Sequence, residues 1–475
     1  MKKEILKILK EEPFSTISKT ANDLKIESYL VGGFVRDIFL DINEKKDIDI
    51  MVIGSAMELA KNLKKNLNNS RNIQFYKNFG TAMLEWKKFF IEIVGARKES
   101  YNHNSRKPKV EIGTLEDDQN RRDFTINSLA ISLNKKNFGE LIDPFNGIND
   151  LKNKIIKTPL NPDKTYSDDP LRMFRAIRFS SQLNFNIETE SFESIKKNID
   201  RVSIISKERI VDELNKIILS KKPSIGFLNL DKSGLLKRII PEITNLKGIE
   251  EIEGKSHKEN FYHTLEVLDN ISIRSDNLWL RWAALFHDIG KPLSKKYNSK
   301  TGWTFHGHEF IGSKMVYQIF KRLKLPLNHK MKYVQKLVLL SSRPIVISED
   351  FITDSAVRRL IFDSGDLLED LITLCEADIT TKNPILFNKY HENFKIVRNK
   401  IKTIEEKDNL RNFQPPISGE EIMQAFNIGP SKEIGIIKEK LKEAIINGEV
   451  ENEYNSTFKL MKQIGENLGL KFNEK

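Results

Sequence analysis

The chain of 475 residues has one cysteine, Cys375. No internal disulfide framework can form, and a reducing compartment, the cytoplasm, is expected. It lacks any apolar run near the roughly 20 residues that a membrane-spanning helix needs. The opening MKKEILKILKEEPFS meets KEEP before an apolar core long enough for a secretory signal, so none is expected. Internal repeats and low-complexity tracts are absent too. Acidic residues are outnumbered, 66 against 78 Lys and Arg, for a formal charge of +12. That surplus suits a polyanionic partner, because clustered cations release condensed counterions on meeting a phosphate backbone; a surface that only maintains solubility is the alternative. The length exceeds one ordinary core and predicts two to four domains.

Up to about residue 157, strand-like segments (SYLVGG, DIDIMVI, NIQFYKNF, FFIEIVGA, LIDPF) alternate with helical ones such as SAMELAKNLKKNL, an α/β pattern. From SDDPLRMFRAIRFSSQL onward the apolar spacing is mostly helical, and the remainder reads as all-α. Breaks fall near Pro241 and near KDNLRNFQPPISGEE.

In KDIDIM, Asp47 and Asp49 are two apart and share a strand face while Ile48 and Ile50 face a core. Two such charges about 4 Å apart repel by roughly 4 kcal/mol at an effective dielectric near 20, a conflict that a hard cation removes. Glu92, in FFIEIVGA, can bring a third carboxylate to the same edge. Upstream, VGGFVRD sets Gly32 and Gly33 between a strand and a helix starting near Phe34, where backbone can approach a phosphate. Each motif alone has a plain structural explanation. In sequence they form the constellation of a two-metal phosphoryl transferase using Mg²⁺.

NRRDFTINSLAI adds Arg121, Arg122, Asp123 and Asn127, groups suited to phosphates and sugar hydroxyls. In SDDPLRMFRAIRF, Asp169 and Arg172 are three apart, as if on one helix face. An acceptor beside a donor complements a base with an amino group next to an unprotonated ring nitrogen, which describes C and A but neither U nor G. A surface ion pair is the plain alternative.

LVGGFVRD, KDIDI, RRDFTINSLA, DPFNGINDL and DDPLRMFRAIRF, in this order over residues 25 to 240, resemble the motifs of class II tRNA nucleotidyltransferases, the CCA-adding enzymes, and of the related bacterial poly(A) polymerases. The resemblance implies a polymerase β-like nucleotidyltransferase head with a mixed β-sheet. Asp47, Asp49 and Glu92 would be catalytic and hold Mg²⁺. Gly32, Gly33 and Arg36 would position the triphosphate of CTP or ATP, with Asp37 anchoring its helix. Arg122 and Asp123 would grip the ribose, with Asn127 beside them. Asp169 and Arg172 would read the base, with Arg175 and Arg178 in support, and SKERIVDELNKII would brace that helix. Asp168 stands where the family usually has Glu, and Ser128 where CCA-adding members usually have Ala; the latter also fits poly(A) polymerases. RKESYNHNSRKPKVEIGTLEDDQN reads as a polar loop of the kind a flexible lever needs; members that add only CC tend to lack it, so the resemblance favours complete CCA addition over CC addition alone.

ENFYHTLEV, ALFHDIGKP, FHGHEF and LCEADIT place His263, His287, Asp288, His306, His308 and Asp378 in the order of an HD domain. His263, His287, Asp288 and Asp378 suit a second divalent metal, whose bound water would hydrolyse phosphate esters. A vestigial site and a separate phosphohydrolase are both open alternatives. Ser341 falls where a further histidine is expected, with His329 a possible substitute in a solvated turn; His103, His257 and His391 read as surface residues. The tail, GEEIMQAFNIGPSKEIGIIKEKL, resembles the C-terminal part of HD-containing CCA-adding enzymes, where it would lie along the tRNA.

The expected organisation is multidomain, α/β plus all-α: a head over 1–157, a helical neck over 158–240, an HD domain over 241–400 and a helical, tRNA-binding tail over 401–475. Expected partners are tRNA, CTP and ATP and no membrane; the sequence does not define an oligomeric state.

Overall fold

A computed structural model describes residues 2–42, 47–68, 70–76, 80–102, 105–256, 259–345, 353–408 and 415–473. His103 and His257 lie outside them. The chain divides into two compact units, residues 1–239 and 240–475.

The first unit opens with α1 (Lys2–Lys10) and α2 (Phe14–Asp23), then runs β1 (Glu27–Val31), α3 (Gly33–Phe39), β2 (Asp47–Ile53), α4 (Ala56–Asn66), β3 (Ser70–Tyr76), β4 (Thr81–Trp86) and β5 (Phe89–Gly95). After β6 (Arg97–Asn102), β7 (Ser105–Ile112) and α5 (Leu115–Asn120) come β8 (Ala130–Ser132) and β9 (Leu141–Ile142). Among the described residues seven strands form one mixed sheet in the order β3-β4-β5-β2-β1-β8-β9, in which β2 and β5 pair parallel and the other neighbours antiparallel. Alternation explains the placing of β2: Ile48 and Ile50 are fully buried, which turns Asp47 and Asp49 to the opposite face. In α4, the Ser55 hydroxyl caps the first turn by accepting from the Glu58 amide at 3.2 Å. Leu59, Ala60 and Leu63 supply its buried stripe.

The segment read as a polar lever loop is instead the antiparallel hairpin β6–β7 followed by α5. Its polar composition concealed the strands because the hairpin forms a two-stranded sheet of its own, whose contacts with α5 and its C-cap include the charged Arg121–Glu99 pair. The unit continues through α6 (Gly147–Asn153), α7 (Pro162–Asp168), α8 (Leu171–Leu183), α9 (Thr189–Lys197) and α10 (Lys207–Ile218). Helix α8 buries Met173, Phe174, Ile177 and Phe179 and packs on α10 and on the helix Pro223–Lys232.

The second unit is built on helices, among them Asn260–Arg274, Leu278–Phe286, His308–Leu323, His329–Leu340 and Leu368–Ala377. It is not wholly helical: Glu251–Ile252 pairs with Lys255–Ser256, and Lys296–Asn298 with Gly302–Thr304. The helix Pro384–Asp408 runs across residue 400, where the sequence reading placed a boundary. The last three helices, Gly419–Phe426, Lys432–Asn447 and Tyr454–Asn467, enclose a small core of Ile422, Phe426, Ile437, Leu441 and Met461. Among the described residues no helix is long and apolar enough to cross a membrane.

Candidate nucleotide cleft and metal cluster

At the end of β1, Val31 pairs with Asp49, and Asp49 pairs in turn with Glu92 on β5. The sheet thereby sets two carboxylates side by side. Gly32 follows with φ +74°, and a Cβ there would lie 2.7 Å from Asp49 Oδ2 and 3.2 Å from Arg122 Nη1. Both its backbone and its missing side chain are therefore required for the Asp49 carboxylate to rest against the turn. Burial first, and then the charges of Glu92 and Asp47, push the Asp49 carboxyl up to about 6, against the pull of Arg122 and Arg36. A cluster that resists ionisation in this way fits a hard divalent cation, which would replace the missing positive charge.

A cleft of about 630 Å³ opens over this edge. It is lined by Asp49 and Glu92 and by Gly32, Gly33, Arg36, Arg122, Asp123, Asn127, Asp169, Arg172, Arg175 and Arg178. Asp47 shares the strand face but stands exposed at the start of β2, outside the lining.

The arginines are held by carboxylates. Asp118, fully buried on α5, accepts from Arg122 Nη2 at 2.9 Å and from Nε of Arg121 at 2.9 Å. Sequence reading passed over it, although a carboxylate three and four residues before two arginines at a helix end was a usable signal. Asp123 accepts from Arg175 Nε at 2.7 Å and from Asn127 Nδ2 at 3.0 Å. Burial alone would raise its carboxyl, but Arg175, Asn127 and Arg172 outweigh burial and hold it at about 2. Arg36 donates to Asn127 Oδ1 at 2.9 Å and to Asp37 Oδ1 at 2.8 Å. Asp37 thus holds the arginine beside it.

Asp169 and Arg172 do not share a helix face. Pro170 forces its predecessor out of helical geometry, so α7 ends at Asp168 and Asp169 is extended, with φ −132° and ψ 95°. Its Oδ1 accepts from the Leu171 amide at 3.2 Å at the start of α8. Arg172 donates to the backbone carbonyl of Arg121. Both side chains still line one cleft, so acceptor and donor remain neighbours by a different local route. Arg178 is paired with Glu213 of α10 at 3.2 Å, both nearly sealed from solvent. Burial, followed by the charge of Arg175, lowers the Arg178 guanidinium to about 10 against the pull of Glu213. Ser128 is buried, its hydroxyl donating to the Phe124 carbonyl at 3.0 Å, and it does not line the cleft.

In the second unit, His263, His287 and Asp378 bring one ligand atom each within 4.8 Å of one another. His263 Nε2 lies 2.7 Å from Asp378 Oδ1, and His287 Nε2 lies 3.3 Å from Asp288 Oδ2. The Nδ1–H of His287 donates to the Ala284 carbonyl at 2.7 Å, which turns its buried Nε2 toward the carboxylates without a completed hydrogen bond. Burial opposes the imidazolium, but Asp288 and Asp378 overcome it and raise the His287 pKa. An orphaned imidazole nitrogen facing two carboxylates fits a divalent metal. Asp288 also binds Lys291 Nζ at 2.6 Å, and His308 Nε2 is 3.5 Å from its other oxygen. His306 is exposed and outside the cluster. His329 opens a helix where a solvated turn was expected, and Ser341 is buried with its hydroxyl on the Val338 carbonyl. His391 is half-buried, its ring 4.3 Å from that of Phe387, and not the surface residue expected.

Residues 28–157 match the family model of the poly A polymerase head domain, 184–247 that of the probable RNA and SrmB-binding site of polymerase A, and 260–410 that of the HD domain. The A-adding tRNA nucleotidyltransferase of Deinococcus radiodurans is 31% identical over 346 residues, 71% of this chain and 76% of the relative. The multifunctional CCA protein of Aliivibrio salmonicida is 30% identical over 77% of this chain and 88% of its own. The A-adding enzyme of Aquifex aeolicus is 34% identical over 61% of this chain, but the match spans only 35% of that longer relative. The fold is shared with the CCA-adding enzyme of Thermotoga maritima, solved with tRNA, at a TM-score of 0.61 and 23% identity over 98% of both chains. Carrying a polymerase head, a cleft of paired carboxylates and arginines, and an HD cluster, the chain belongs to the family of tRNA nucleotidyltransferases and poly(A) polymerases.

Proposed function

We propose that this nucleotidyltransferase builds the 3′-terminal CCA of tRNA from CTP and ATP, releasing pyrophosphate at each addition. The observation that carries this is the meeting, in one cleft, of the Asp49–Glu92 edge with the Asp169–Arg172 pair. Asp47, Asp49 and Glu92 would hold Mg²⁺, which when bound supplies charge neutralisation for the triphosphate and acidifies the attacking 3′-hydroxyl. Arg36 would meet the phosphates. Asp123, held ionised by Arg175, would take the ribose together with Arg122. Asp169 would accept from a base amino group while Arg172 donates to the adjacent ring nitrogen, so C and A satisfy both, whereas U and G present an acceptor and a donor the wrong way round and satisfy neither. Arg175 and Arg178 set the cationic wall of this reading site. In the second unit, His263, His287, Asp288 and Asp378 would hold a divalent metal of their own. The helical tail would lie along the tRNA, its lysines meeting phosphates, and the cytoplasm is the compartment proposed.

A second reading, addition of the terminal A alone, is favoured by the names of the Deinococcus and Aquifex relatives. One experiment tests both. Purified protein is given tRNA ending before, within and after CCA, with each nucleotide singly. Complete synthesis predicts C on the truncated forms and A only after CC; the second reading predicts A after CC and no C. Incorporation of UTP at rates like CTP contradicts both.

A further inference from the structure

Phe179 lies one residue after Arg178 on α8, and three guanidiniums gather around its ring. Their Cζ atoms lie 4.2 Å (Arg178), 5.1 Å (Arg36) and 5.5 Å (Arg175) from the ring centroid. The ring is 7% exposed and meets Phe124 edge-on at 5.7 Å and 84°, so it cannot swing aside without breaking the core. Each arginine has its own carboxylate: Asp37 for Arg36, Asp123 for Arg175 and Glu213 for Arg178. The ring is the group all three share. Its face carries the negative end of the aromatic quadrupole, and the attraction to a cation strengthens where water is excluded.

Arg36 comes from α3, next to the glycine turn, whereas Arg175 and Arg178 come from the reading helix α8. Their spacing decides whether the phosphate side and the base side of the cleft match one nucleotide. Mutual repulsion would drive three like charges apart. Asn127 links Arg36 to the Asp123–Arg175 pair at the edge of the group, and the ring is the contact that also takes in Arg178.

We propose that Phe179 is a positioning residue: its π face holds Arg36, Arg175 and Arg178 in a fixed fan, presetting the triphosphate-side and base-side cations for CTP and ATP. This rests on the cleft being the nucleotide site. A purely space-filling role for the ring predicts that shape alone matters, whereas the positioning role predicts that the charge of its face matters.

Incorporating 4-fluoro-, 3,5-difluoro- and 3,4,5-trifluorophenylalanine at position 179 of the full chain drains the face in steps while nearly preserving shape. KM for CTP and ATP on trimmed tRNA should rise with each step, to about tenfold for the trifluoro ring, with kcat held within about twofold. The same series at Phe174, a buried ring on the same helix, should leave KM flat. As a second pair, Phe179→Leu should raise KM and Phe179→Tyr should restore most of it. A KM that does not track fluorine number at position 179, whatever the melting temperature does, overturns the proposal. If the unsubstituted protein incorporates neither nucleotide, the nucleotide reading itself fails; if it works and the series is flat, only the role of Phe179 does.

Discussion

Asp49 and Glu92 face each other across the one parallel strand pair of the head sheet, held at the same register step. Their spacing is a property of the ladder and not of two flexible side chains. At neutral pH an ionised Asp49 with a carboxyl raised to about 6 costs about 3 kcal/mol relative to an ordinary Asp. Asp49→Asn should therefore lower nucleotide transfer at least a thousandfold while leaving the melting temperature unchanged or higher. Primer extension and calorimetry on the same preparation check both; a loss of activity matched by a loss of stability would contradict it.

Base reading depends on Asp169 and Arg172 together. Asp169→Ala or Arg172→Ala should raise misincorporation of UTP and GTP relative to CTP by about tenfold to a hundredfold, the equivalent of one or two buried groups left unpaired. Competition assays with mixed nucleotides measure the ratio directly.

Asp118 anchors two cleft arginines without touching the cleft itself. Asp118→Ala should destabilise the protein by about 2 to 3 kcal/mol, because it takes the shared buried carboxylate from two half-buried guanidiniums and leaves Arg121 only Glu99 at 3.4 Å. It should also raise KM for both nucleotides. Urea unfolding and steady-state kinetics report the two effects separately.

Asp123 gives a pH signature. Its carboxyl sits at about 2 in the fold against an ordinary 3.8, so it binds its proton more weakly folded than unfolded. The resulting stabilisation, about 2 kcal/mol, is present above pH 4 and is lost as pH falls toward 2. Arg175→Gln removes the leading cause of the lowering and lets burial win. The stability gap between the two proteins in urea should be full at neutral pH and shrink as pH falls from the raised Asp123 carboxyl of the variant toward 2.

The HD cluster should bind manganese or cobalt with His287 as ligand. Titration calorimetry should detect a site in the intact protein whose affinity falls about a hundredfold in His287→Ala, the scale of losing a metal-supporting group. Unchanged affinity would place the metal elsewhere.

Much of this was legible in the residues. The alternation in DIDIM set Asp47 and Asp49 on one face, and Glu92 in FFIEIVG was recognisable as a strand carboxylate; the direct pairing of Asp49 with Glu92 depends on strand order, which no local pattern encodes. The helix reading of Asp169 and Arg172 failed although its correction was in plain sight, since Pro170 excludes helical geometry from the residue before it. RKESYNHNSRKPKVEIGTLEDDQN reads as a loop because a two-stranded hairpin with exposed residues at 109–112 needs no apolar face. The segment SKERIVDELNKII, which carries Glu213, is legible as a brace, but its partner Arg178 lies 35 residues away, and nothing local singles out Phe179. Long-range partners of buried charges are what a single sequence conceals.

The most direct measurement is a crystal of the protein with CTP and manganese, its anomalous signal marking the ion. The account predicts a peak bridging Asp49 and the triphosphate, with the cytosine edge against Asp169 and Arg172. A nucleotide seated elsewhere, with no peak near Asp49, would contradict it.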